Sequence, residues 1–247
     1  ATLAGAGIVT LFLTVLAAFH LYAMLSQPMT LAALAAVALL SMALGWGQGA
    51  LLAAIGLIGG TLTPFLLGPA GAPQDLLYAY FAALMLLGLG IDSRRRWGWV
   101  SALALILPLA ASVVIGGAGA GPEGLAMVAL LAGFAGTALP GGAVLPKAMG
   151  AAPWRRDSAP ETKLGALAIL LAVAVLVTQI EAPLSILASG ALAVLMPIWT
   201  RHAPALTVMA VVTALGLPAA VVYSLIGTPL LLSFVLNAQG WMIPAAM

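Results

Sequence analysis

The sequence predicts an all-α fold, a polytopic transmembrane helical bundle of about ten spans with short loops, and three observations carry that prediction. Of 247 residues, 64% are hydrophobic and 6% are charged, whereas soluble domains carry about 25% charged residues. The apolar residues come in successive runs close to the ~20 residues a helix needs to cross a ~30 Å hydrocarbon core. Those runs are continuous rather than alternating, so they match helices, which satisfy their own backbone groups in lipid, and not the strands of a membrane barrel. A mean hydropathy of +1.21 agrees.

Turn residues divide the runs. A first span over residues 3–24 ends at Ser26-Gln27-Pro28, and a second over 29–45 ends in the glycine-rich break from Gly45 to Gly49. The third, 49–67, is followed by the stretch Gly68 to Asp75, whose last residue is placed to cap the fourth span, 76–91. Asp92 to Arg96 precedes the fifth, 98–116, and Gly116 to Glu123 precedes the sixth, 124–145. The one substantial polar stretch, Pro146 to Lys163, leads to the seventh, 164–181, with Ser158 or Thr162 placed as its cap. Glu181 to Pro183 opens the eighth, 184–200, Arg201 to Pro204 the ninth, 204–223, and a tight turn near Ser224 the tenth, 225–242. The organisation expected is residues 1–146 as spans one to six, 147–163 as a cytoplasmic loop, and 164–247 as spans seven to ten, in one membrane domain. Short connections make sequential neighbours antiparallel. The chain enters an apolar run at once and stops abruptly at Met247, which reads as a piece of a longer protein.

Charge then assigns sides. With the first span starting inside, Arg94, Arg95, Arg96, Lys147, Arg155, Arg156, Lys163 and Arg201 all fall on the cytoplasmic face with Asp92, Asp157 and Glu161. Asp75, Glu123 and Glu181 fall on the other, as the positive-inside rule requires. The aromatics sort the same way: Trp46, Trp97, Trp99, Trp154, Trp199 and Trp241 map to the inner boundary, and Tyr22, Tyr78, Tyr80 and Tyr223 to the outer one. Arg94, Arg95, Arg96 and Trp97, with Trp154, Arg155 and Arg156 in the long loop, are thus the inner-face anchors, suited to anionic headgroups. The pI near 9.3 reflects this loop charge and supports no nucleic-acid partner. Membrane lipids and other membrane subunits are the partners expected.

The chemistry-bearing residues are few. With no cysteine there is no disulfide, thiolate metal site or Cys nucleophile. His20 is the one ionisable side chain inside a span, and an intramembrane ionisable group is a functional candidate by default. Its alternatives are a hydrogen-bonded structural histidine and a proton relay or ligand, and no second His or carboxylate lies close in sequence. His20 and His202 fall on opposite faces, so no metal site is expected, and no cofactor either. Neither a Gly-x-Ser-x-Gly elbow nor a phosphate-binding Gly-x-x-x-x-Gly-Lys loop occurs.

One stretch breaks the ordinary helical recipe. In Gly56-Leu57-Ile58-Gly59-Gly60-Thr61-Leu62-Thr63-Pro64, each Gly costs about 1 kcal/mol and Pro about 3 kcal/mol relative to Ala in a helix interior. The segment is therefore expected either to pack closely, with Gly56, Gly59 and Gly60 admitting a neighbour and Thr61 and Thr63 bonding across or back to carbonyls freed by Pro64, or to unwind and line a cavity. Weaker echoes, Leu131 to Pro140 and Leu225 to Pro229, raise the possibility of transporter-like repeats.

The order Ala4-Gly5-Ala6-Gly7, Phe19-His20-Leu21-Tyr22, Leu57 to Leu66, Tyr78-Ala79-Tyr80-Phe81 and the Arg94-Arg95-Arg96-Trp97 turn resembles the bacterial "predicted membrane protein" family, domain of unknown function 2339. The resemblance is carried by the first part of the chain. It implies an inner-membrane protein, usually much longer with more spans and often a soluble or coiled N-terminal region, and it supplies no catalytic residues. The leading functional expectation is a non-catalytic scaffold or accessory subunit of a membrane or cell-envelope complex. The alternative is a transporter or lipid-handling protein with its site near Gly56–Pro64, and a membrane enzyme would need Asp75, Glu123 or Glu181 to converge.

Overall fold

Runs dominated by Ala and Leu, both strong helix formers, have little choice but helix once water is removed from their backbone. A computed structural model describes residues 2–67, 74–95, 97–117, 121–139, 153–155, 159–179, 183–222 and 224, and among them every regular element is helical. The helices are α1 (Thr2–His20), α2 (Gln27–Gln48), α3 (Ala50–Leu67), α4 (Gln74–Arg95), α5 (Gly98–Gly117), α6 (Pro122–Ala138), α7 (Pro160–Thr178) and α8 (Pro183–Trp199). Two short 3₁₀ turns lead into α9 (Thr207–Val211), which continues through a π turn, Val212–Gly216.

Seven helical segments are long and apolar enough to cross a membrane: α1 to α5, α7, and the stretch Pro204–Val222 that contains α9. α6 and α8 are apolar but have 17 residues each, about 25 Å at 1.5 Å per residue. The predicted tenth span, 225–242, lies outside the described residues, among which there are seven long apolar segments and two shorter ones.

Some predicted boundaries shift, each for a local reason. The break from Gly45 to Gly49 is helix as far as Gln48, and Gly49 alone makes the turn, at φ +134°, a backbone conformation closed to residues with a Cβ. α7 starts at Pro160, so the connecting loop ends before residue 163; Ala159 occupies the cap and Thr162 is buried in the first turn. Proline at the first helical position needs no N–H there. Asp75 is likewise inside the first turn of α4, not ahead of it.

Packing follows the small residues. In lipid no hydrophobic force draws helices together, so association depends on close van der Waals contact and interhelical hydrogen bonds. At Gly45 a Cβ would stand 2.7 Å from the backbone N of Ala53, and α2 and α3 form the most extensively packed pair. Gly136 of α6 similarly sits directly on Ala168 of α7, and Gly88 of α4 on Ala104 of α5. Phe81, Leu84 and Met85 of α4, Leu105 of α5, Leu125 of α6, Ile169 of α7 and Leu192 of α8 fill the centre. α1 lies at the edge against α2 and α3, mostly uncovered.

Contacts identify two ends. At one, Gly98 approaches Pro160 and Leu164, and Gly165 approaches Leu206; this end carries Trp97, Trp99 and Trp199. At the other, the ends of α1, α3 and α5 meet the starts of α2, α4 and α6.

Candidate functional site

The Gly56–Pro64 stretch is a continuous helix. α3 runs from Ala50 to Leu67 with Pro64 inside it, so of the two arrangements expected, close packing and an unwound cavity lining, the stretch keeps its helix. The three glycines are filled from three sides. A Cβ at Gly56 would stand 2.9 Å from the carbonyl oxygen of Ala38 and 2.9 Å from the Ser41 Cβ of α2. At Gly59 it would stand 2.6 Å from the Phe12 ring of α1, and at Gly60 3.0 Å from the Ala38 Cβ and 3.1 Å from the Tyr80 hydroxyl of α4. The space a substrate would need beside this segment is occupied by side chains of α1, α2 and α4.

The carbonyl that this proline leaves open is served from α4. Pro64 has no N–H to give the carbonyl four residues earlier, and that carbonyl, on Gly60, accepts a hydrogen bond from the Tyr80 hydroxyl at 2.8 Å. The Thr61 and Thr63 hydroxyls donate to Leu57 O at 2.7 Å and Gly59 O at 2.8 Å within α3. Composition had placed Tyr80 only as an interfacial ring. The missing clue was arithmetic: a proline in a lipid-embedded helix leaves one backbone acceptor open, and a polar side chain on a neighbouring helix can serve it.

His20 is equally committed. It is the last residue of α1, exposed, with Nε2 3.2 Å from the carbonyl oxygen of Leu66 and its ring edge-on to Phe19. Gln27 Nε2 reaches Leu67 O at 3.5 Å. Carbonyls in the last turn of a helix have no intrahelical donor, so both side chains tie off the end of α3. The geometry brings no carboxylate to His20, and among the described residues no group of three or more His, Cys, Asp or Glu could hold a metal.

Of the residues expected as inner-face anchors, α4 carries Arg94 and Arg95 in its final turn, Trp97 is half-buried in the turn to α5, and Trp154 and Arg155 are exposed. Arg96 and Arg156 lie outside the described residues.

Almost everywhere the buried hydroxyls are tied to backbone. Ser41 donates to Leu52 O at 2.8 Å across the α2–α3 seam, Ser185 to Leu176 O at 3.2 Å between α8 and α7, and Ser112, Thr137 and Thr213 to carbonyls of their own helices. Among the described residues four buried polar atoms have no partner: the Tyr78 hydroxyl, Ser101 Oγ, Ser189 Oγ and Trp199 Nε1, the last with its ring edge-on to Phe134. Sequence reading did not single out Ser101 or Ser189, because an isolated serine in an apolar run carries no pattern.

Similarity to known proteins covers more of the chain than its first part. The model of a family described as "Predicted membrane protein (DUF2339)" matches residues 1–246. No curated protein and no solved structure matches.

Proposed function

The chain belongs to the predicted membrane protein family DUF2339, and from that premise we propose that it is a non-catalytic scaffold or accessory subunit of a cell-envelope complex in the bacterial inner membrane. The observation that carries this reading is the commitment of polar groups within the bundle. The Tyr78, Ser101 and Ser189 hydroxyls have no partner, but those of Thr30, Ser41, Thr61, Ser112, Thr137, Ser185 and Thr213 are bonded to backbone carbonyls, Tyr80 serves the carbonyl that Pro64 leaves open, and His20 closes a helix end. A transporter needs polar groups free to exchange partners with a substrate near the midplane. Around Gly56–Pro64 the neighbours are instead Phe12, Ala38, Tyr80 and Leu84 in direct contact, which weighs against a transport or lipid-handling site there.

α1 is where a partner subunit fits this reading. Leu3, Val9, Leu11 and Leu13 are exposed, and only 6% of its span is buried. Gentle solubilisation after cross-linking in the native membrane is expected to recover a stoichiometric membrane partner cross-linked through α1. A chain that stays solitary while driving flux of a solute or lipid across vesicles overturns the scaffold reading.

The orientation belongs to the same proposal: the N-terminal end inside, the Trp-rich end at the cytoplasm, and Asp75 and Glu123 outside. Because the sequence contains no cysteine, a single cysteine introduced for Trp154 and another for Glu123 report sides directly. The first is expected to react with an impermeant maleimide only after the membrane is opened, and the second in intact cells. The reverse pattern would refute the assignment.

A further inference from the structure

We infer that the α7–α8 flank of the bundle is a binding surface for phospholipids with short acyl chains, which it gathers into a locally thinned annulus. The argument is one of length, because a hydrocarbon core is about 30 Å deep and a helix rises about 1.5 Å per residue. α8 has 17 residues, Pro183–Trp199, so it reaches about 25 Å. Both of its ends are fixed. Beyond Trp199 a single 3₁₀ turn, Thr200–His202, carries the exposed Arg201 and stops at Ala203, whose backbone (φ −137°, ψ 69°) is not helical. Before Pro183, α7 has already ended at Gln179 (φ −111°, ψ 20°), with only residues 180–182 between. The outward strip of α7 is shorter still. Lys163, Leu170, Val177 and Thr178 are all exposed on it, and the apolar stretch from Leu164 to Thr178 rises about 22 Å.

The two helices cannot adjust independently. Ser185 Oγ donates to Leu176 O at 3.2 Å, which holds α8 and α7 level at one end. Further along, Leu192 of α8 and Ala172 of α7 both close on Gly133 of α6, 3.1 Å and 3.3 Å from where its Cβ would stand. Tilting does not make up the shortfall, since a tilted helix projects a shorter length on the membrane normal. Snorkelling relieves only α7, whose Lys163 stem can carry its ammonium outward, whereas the Trp199 ring that ends α8 is held edge-on to Phe134. The remaining adjustment is thinning of the lipid itself. The side chains that α8 turns outward, Leu187, Val194, Leu195 and Ile198, are aliphatic and suit acyl chains. α2, which packs with α1, α3 and α4, has 22 residues and at about 33 Å fits the full depth of the bilayer. The mismatch is thus confined to one flank.

The test places a fluorophore on each flank of the full chain in phosphatidylcholine vesicles. The sequence has no cysteine, so Leu170→Cys, Val194→Cys and Leu40→Cys, all at exposed positions, put a single bimane label on α7, α8 or α2. Quenching by brominated dimyristoleoyl lipid in competition with unlabelled dioleoyl lipid, and by the reciprocal pair, gives the relative binding constant of short against long chains at each label. At positions 170 and 194 the short chain is expected to be favoured at least about twofold, a modest ratio because mismatch costs little per ångström. At position 40 no preference is expected. Lys163→Leu, which lengthens the apolar strip of α7, is expected to lower the ratio at position 170. The labels on α7 and α8 are independent readings, so either decides if the other variant fails to fold. The proposal is overturned if neither label favours the short chain, if position 40 favours it equally, or if Lys163→Leu leaves the ratio unchanged. It is equally overturned if brominated lipid quenches neither flank label, since protein and not lipid then covers the surface.

Discussion

Replacing Gly45 by valine is expected to destabilise the protein by about 1–3 kcal/mol or more, the usual range for overpacking a filled contact. The magnitude sits at the upper end because the atoms in the way are backbone. A Cβ at Gly45 meets the Ala53 N at 2.7 Å and the Ala53 Cα at 2.9 Å, and neither can rotate aside as a side chain could. The α2–α3 hairpin turns on the single residue Gly49, so it has no slack with which to separate the two helices near the turn. Gly47, two residues on, is the internal control, since a Cβ there meets nothing within 4 Å. Gly47→Ala is expected to be neutral or stabilising by up to about 1 kcal/mol, the helix-propensity gain of Ala over Gly. Opposite signs at two glycines in the same turn of the same helix, measured by reversible unfolding in mixed micelles, are the expected result. Equal effects would mean that the α2–α3 contact is not what holds this end of the bundle.

Those two glycines show how much of the architecture can be read without coordinates. Hydropathy and turn punctuation locate every described helix, because a lipid-embedded backbone has so few alternatives. Glycine content announces close packing but not which glycine does it: Gly45 and Gly47 are indistinguishable in sequence and differ only in what α3 presents to them. The same limit applied at Gly56–Pro64. Intrinsic propensity argues for a break there, yet propensity is a weak prior that tertiary contacts override, and the contact that overrides it comes from Tyr80 on the next helix. His20 was legible as a residue with two alternative roles, and only the position of the α3 terminus, where Leu66 O lies 3.2 Å away, supplies its hydrogen-bond partner. The family resemblance, carried by motifs in the first part of the chain, understated the true extent, since the family match spans residues 1–246. The later helices are apolar runs with few distinctive side chains, and such segments hold little that a motif can mark.

Tyr80→Phe is expected to cost about 1–3 kcal/mol, because it strips the only side-chain donor from a carbonyl that Pro64 cannot serve. The single substitution does not by itself separate that bond from a general loss of packing, whereas a cycle with Pro64→Ala does. Alanine at position 64 supplies an N–H to the Gly60 carbonyl, so the Tyr80 hydroxyl becomes the second donor to an acceptor that already has one. In the Pro64→Ala background Tyr80→Phe is then expected to cost well under 1 kcal/mol by the ordinary net value of a hydrogen bond, about 0.5–1.5 kcal/mol, shared with its replacement. The coupling between the two positions, about 1 kcal/mol or more, lies within the range found for residues in one hydrogen-bond network. Unfolding free energies of the four proteins of the cycle in the same micelles measure it. Identical costs for Tyr80→Phe in both backgrounds would show that Tyr80 does not compensate Pro64. The continuity of α3 through its proline would then rest on the packing of Phe12, Ala38 and Leu84 against its glycines, and not on the Tyr80 hydroxyl.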